Sequence, residues 1–208
     1  MSLERYVQSL KGRFDRLCIR PPDMQPAALL AGTGQAILDW CHQDSGPGHV
    51  GLLQIGAQPR VEQRLMLGAL RGPDDAACMA LADALGCEID GSHRLAAMTG
   101  RVPGLLWRLQ VKGFDAAWWR QRQRSDPWDA GWAVNTPPSM RRWKQGFMPR
   151  RATLLLADWR EEHDLRMVLA QLVQRSDDFR HPVRWLWVGG PADLASQPGM
   201  PIRRFTLG

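Results

Sequence analysis

The sequence predicts an α/β fold: a three-layer sandwich around a mostly parallel sheet, with an N-terminal amphipathic helix and a long Trp/Arg-rich insertion loop. Three observations lead there. Ala152–Ala157 (ATLLLA) and Val183–Val188 (VRWLWV) have the length and apolar content of buried strands. Between them, Glu161 to Ser176 places Leu165, Val168, Leu169, Leu172 and Val173 at helical spacing. Strand, helix and strand with short connections imply a parallel unit. At 208 residues the chain fits a single domain, 1–208, able to bury a sizeable core, with 112–151 as a basic, Trp-rich helix-plus-loop insertion.

The elements follow in order. Leu3, Val7, Leu10, Phe14 and Leu17 recur every three or four residues, so Ser2 to about Leu17 reads as an amphipathic helix capped by Ser2. Pro21-Pro22 then interrupts the chain, and Asp23 is placed to cap a second helix running through Trp40, with Leu29/Leu30, Ile37 and Trp40 inward. Gly46-Pro47-Gly48 is a turn, and His49 to Gly56 (HVGLLQIG) reads as a buried strand. Val61 to Leu70 is expected to be helical. Asp74 to Leu85 is a stronger helix, with acids in its first turn and Gly86 at its stop. Short strands are expected at Cys87–Asp90 and Leu105–Val111, then a helix from Phe114 to Arg124. Ser125 to Pro149 has no periodicity and holds four prolines, so it reads as a long loop, and loops of that length are usually functional or disordered. Its tryptophans argue against disorder. After the central unit, Gly189-Gly190-Pro191 is a turn and Ile202–Leu207 a last strand.

Composition excludes several classes. Four cysteines (Cys18, Cys41, Cys78, Cys87) at no metal-ligand spacing point to reduced, buried thiols and no disulfide scaffold. The N-terminus carries Glu4, Arg5, Lys11 and Arg13 with no apolar block between them, unlike a secretory signal, and no apolar run is long enough to cross a bilayer. A cytoplasmic location is expected, with no transmembrane segment.

Charge is unevenly distributed. Arg101 to Arg151 holds eleven Arg/Lys against three acids, a net +8, whereas the whole chain is +6, so the remainder sums to −2. The same segment carries six of the ten tryptophans: Trp107, Trp118, Trp119, Trp128, Trp132 and Trp143.

No phosphate-cradling loop, nucleophile elbow or zinc-protease signature occurs. Asp158, at the carboxyl end of a strand, stands where open α/β sheets place ligands, but a helix cap explains it as well. Gly189-Gly190 follows a strand without a lysine. Arg71-Gly72-Pro73-Asp74 has the R-x-x-D form that can grip a cyclic dinucleotide, and also the form of a turn at a helix start. Cys41-His42, with Asp44 and His49, is the one Cys/His cluster, and a buried cysteine at a helix end accounts for it. No cofactor or metal is expected.

The Arg/Trp segment therefore carries the functional expectation. Its candidate contact residues are Trp118, Trp119, Arg120, Arg122 and Arg124 on the basic helix, and Trp128, Trp132, Arg141, Arg142, Trp143, Lys144, Arg150 and Arg151 on the loop beyond. Trp and Arg are enriched at protein interface hot spots, while basic groups with stacking planes also suit unpaired nucleic acid. The expected function is a non-catalytic subunit or adaptor of a bacterial-type assembly docking a protein partner. A nucleic-acid-binding subunit comes second, and an enzyme at the Asp158/Gly189 sheet edge third. The oligomeric state is not written in the residues.

Overall fold

A computed structural model describes residues 17–43, 64–98, 103–107, 109, 126–149, 151–179, 181–189 and 201–208. The expected helix over Ser2 to Leu17 lies outside them but for its last residue. The strand at His49–Gly56, the turn before it and the helix at Phe114–Arg124 lie outside them altogether.

The strands are β1 (Ile19–Arg20), β2 (Leu65–Arg71), β3 (Asp129–Ala133), β4 (Thr153–Ala157), β5 (Val183–Val188) and β6 (Ile202–Thr206). The helices are α1 (Thr33–Cys41), α2 (Asp75–Ile89), α3 (Ser92–Ala96), α4 (Pro137–Gly146) and α5 (Glu162–Gln174), and residues 103–107 are also helical. The strands form one mixed sheet in the order β1-β3-β4-β5-β2-β6. Every pairing is parallel except β1 with β3. A mostly parallel α/β sheet is what the sequence predicts.

The central strands explain the two-sided core. β4 and β5 are buried at every position, as parallel strands covered on both faces must be. Leu155, Ala157, Val183 and Trp185 pack with Trp143 of α4 and Leu165, Val168 and Leu172 of α5. Residues of the opposite parity, Leu154, Leu156, Leu186 and Val188, pack with Ile37 and Trp40 of α1 and Leu81 and Leu85 of α2.

Several local expectations are corrected. The stretch read as a helix over Val61 to Leu70 contains β2, held in register between β5 and β6. Leu, Met and Ala favour a helix locally, but burial between two strands overrides propensity. Gly68 lets the sheet approach α1, since a Cβ there would stand 3.0 Å from Trp40. Helix α2 runs through Gly86 to Ile89, so no strand forms at Cys87–Asp90. Gly86 is a point of close packing instead of a stop: a Cβ would come within 2.9 Å of Pro22. Asp23 does not cap a helix. A 3-10 turn at Ala27–Leu30 and Gly32 at φ 65° precede α1. Residues 103–107 are helical where a strand over Leu105–Val111 was expected.

The largest correction concerns Ser125 to Pro149. This is no insertion loop but β3 followed by α4. The prolines that read as breakers start the helix: Pro137 and Pro138 sit in its first turn, where a missing N–H leaves no bond unmade. Thr136 and Ser139 complete a reciprocal capping box at the same end.

Candidate functional site

The Arg/Trp segment divides sharply between inside and outside. Trp118, Trp119, Arg120, Arg122, Arg124 and Arg150 lie outside the described residues. Trp128, Trp132 and Trp143 are 5%, 2% and 1% exposed, so they are core and not contact residues. Each has a partner within the protein. The Trp132 indole donates to the Asp83 carboxylate at 2.6 Å, and that of Trp143 to the Val134 carbonyl at 3.1 Å. Trp143 also packs against Phe147, Trp159 and Trp185. Trp128 lies edge-on to His42, with the buried Arg184 guanidinium 6.0 Å from its ring centre. Arg151 is buried as well. For Trp132 and Trp143 the physical reason is that strand β3 and helix α4 belong to the sheet's packing, with these two rings in its cores; Trp128 and Arg151 lie just outside the two elements.

What remains outside is cationic. Helix α4 turns Ser139 and Trp143 inward, with Met140 half-buried against the core, and leaves Arg141, Arg142 and Lys144 exposed. The helix (PPSMRRWKQG) has no acidic residue. By contrast α5, packed beside it, mixes Glu162, Asp164, His163 and Arg166.

A second surface was missed by the sequence reading. Leu105, Leu106 and Leu109 are 48%, 61% and 53% exposed. On a helix, positions 105, 106 and 109 share one face. Trp107 points the other way, into the turn after α2, where a Cβ on Gly91 (φ 79°) would stand 2.6 Å from its ring. The leucine spacing in LLWRL was the available signal. A run that also fits a short strand concealed it.

At the carboxyl edge of the sheet the described residues include an ion pair and a helix cap. The chain leaves β2 for α2 and β4 for α5 on opposite faces, so the crevice that usually takes ligands lies over β5. There Arg160 and Asp75 pair at 3.3 Å, and Asp75 lies 3.0 Å from the Cβ position of Gly189. Asp74 of the R-x-x-D pattern accepts from the Ala76 N–H at 2.9 Å as the α2 cap. Asp158 is exposed and does not cap α5, whose N-cap residue is Glu161.

Nucleophilic chemistry finds no ready thiol. Cys18, Cys41, Cys78 and Cys87 are all buried and reduced. Burial pushes the Cys41 thiol up to about 12, with Arg184 opposing weakly, and burial with nearby Asp90 takes Cys87 to about 11. Among the described residues no group of His, Cys, Asp and Glu side chains is placed to hold a metal, and no helix is long and apolar enough to cross a membrane. Comparison with protein-family models, with curated proteins and with solved structures returned no match. The arrangement thus offers two surfaces, one apolar and one cationic.

Proposed function

We propose that the chain is a non-catalytic subunit or adaptor of a macromolecular assembly, working in the cytoplasm and docking a protein partner through the leucine face of residues 103–109. The single observation that carries this reading is the exposure of Leu105, Leu106 and Leu109 on one helical face whose opposite side is anchored by Trp107. Contiguous exposed apolar side chains mark interaction sites more often than isolated ones do. The face belongs to the stretch Arg101 to Arg151 that concentrates charge and tryptophan. It precedes the stretch Trp118–Arg151 in which the sequence places the contact residues, so the proposed docking face moves to the leucines before that stretch. The reading takes the molecule as a single three-layer α/β domain, supported by two cores that each hold one parity of β4 and β5.

Covering three half-exposed leucines is worth about 3 kcal/mol in all, at about 1.5–3 kcal/mol for each fully buried side chain. The test is capture of the partner from the native cell with the tagged chain and with its Leu105→Glu/Leu106→Glu variant. The expected result is partner loss of about tenfold or more with an unchanged melting temperature. Capture of the same partner at wild-type stoichiometry by the variant overturns the reading.

A further inference from the structure

We infer that His93 is a proton-operated clamp: its charged ring ties the strap formed by residues 21–26 to helices α2 and α3, and its neutral ring releases the strap's far end. The strap has no regular structure and lies along one face of α2. Pro22 packs where a Cβ on Gly86 would stand 2.9 Å away, the Asp23 N–H donates to Asp83 at 3.0 Å, and the Cys87 thiol donates to the Asp23 carbonyl at 3.3 Å. Positions 83, 86 and 87 share that face. The last tie, nearest the 3-10 turn at Ala27–Leu30, is His93 of α3.

The partners of the ring decide its charge. Its Nδ1 lies 3.0 Å from the Glu88 carboxylate and its Nε2 lies 2.7 Å from the Gln25 carbonyl. An ionised carboxylate and a backbone carbonyl only accept, whereas a neutral imidazole has a single N–H. Only the imidazolium, with an N–H on each nitrogen, makes both bonds. The ring side chain is 12% exposed, so water does little to replace a lost partner. The neutral ring keeps its N–H on the carboxylate, the charge-assisted bond being the stronger, and turns a lone pair toward the Gln25 carbonyl. The strap is therefore held on the acid side and loosens as pH rises.

The charged and titratable groups on the elements packed there are Asp83, Cys87, Glu88 and Asp90 of α2 and its cap, Arg20 and Asp23 on the strap's side, Arg94 of α3, and Asp126 before the Pro127 that reaches Gly91. Residues 103–107 (PGLLW) bring none. Imidazole is the side chain that ordinarily changes charge between about pH 5 and 8. Burial, with Asp90 beside it, pushes the Cys87 thiol up to about 11, so that contact holds through the same range.

The experiment is hydrogen–deuterium exchange of the full-length chain at about pH 5.5 and 8, corrected for intrinsic exchange. The protection of residues 21–31 in wild type should fall at least about fivefold at the higher pH, the effect of losing one hydrogen bond, while β4 and β5 keep theirs. His93→Gln, which cannot change charge, should give equal protection at both pH values. Glu88→Gln carries the sharper expectation. Its amide can donate to Nδ1, which frees the neutral ring's N–H for Gln25, so the strap should stay protected at both pH values. If His93→Gln fails to fold, Glu88→Gln decides alone. The inference is overturned by pH-independent protection of the wild-type strap, by a wild-type pH response in either variant, or by an equal fall in β4 and β5. It does not rest on the leucine-face reading, since no partner is present in the measurement.

Discussion

The Trp132 indole N–H and the Asp83 carboxylate meet at 2.6 Å inside the protein, joining strand β3 to helix α2. The same carboxylate oxygen accepts the Asp23 backbone N–H at 3.0 Å, so it also ties down the chain between β1 and α1. Asp83 is 7% exposed, and a buried acceptor with two donors holds three segments together. Asp83→Ala leaves both donors without it in a buried setting and should cost about 2–4 kcal/mol, at about 1–3 kcal/mol for each orphaned group. Asp83→Asn, which keeps an acceptor oxygen, should cost less. Urea unfolding of the two variants measures the difference.

The tryptophans make a second prediction. Trp143→Ala removes a ring that packs on Phe147, Trp159 and Trp185 and should destabilise by about 3–5 kcal/mol. Trp132→Ala should do at least as much, because it also removes one of the two donors to the buried Asp83 carboxylate. Denaturant midpoints check both. If these variants fold with wild-type stability, the rings are not core.

How much of this was legible follows from where the information sits. β4, α5 and β5 could be read because their pattern is local: runs apolar throughout and a helix with one apolar stripe. β2 could not, since Leu-Met-Leu-Gly-Ala-Leu has a helix former's composition and becomes a strand only through β5 and β6 on either side. β3 and α4 were hidden by the prolines, whose meaning depends on whether they fall in a helix's first turn or its middle. For the site, the sequence located the charge but not its facing. The alternation of Arg141, Arg142 and Lys144 outside with Trp143 inside appears only once the helix is known.

The buried thiols predict a pH dependence. Cys41 is wholly buried and its thiol is pushed up to about 12, against an ordinary 9.0. The folded state therefore holds a proton that the unfolded state releases above pH 9, so this contribution is fully present below pH 9. Stability should then fall by up to about 1.4 kcal/mol per pH unit as pH rises toward 12. Unfolding free energies between pH 8 and 10.5 should decline less steeply in Cys41→Ala than in wild type. In the folded chain at pH 8, Cys41 should resist alkylation and react only after denaturation.

The turn after α2 positions the leucine face. Gly91 has φ 79°, and a Cβ there would stand 2.6 Å from Trp107. Gly91→Ala combines a strained backbone with displacement of that ring, and should cost about 1–3 kcal/mol. It should also weaken partner capture without changing a single leucine. Gly104→Ala, whose added Cβ would meet Leu95 at an ordinary 3.4 Å, is the control and should leave capture unchanged. Comparing melting temperatures with capture separates positioning from unfolding.

The central claim, that the chain docks a protein through Leu105, Leu106 and Leu109, is met most directly by hydrogen–deuterium exchange of the full chain, alone and in its purified complex. The account predicts new protection over residues 103–109 on complex formation. Protection confined to other segments, with 103–109 exchanging as in the free chain, would contradict it.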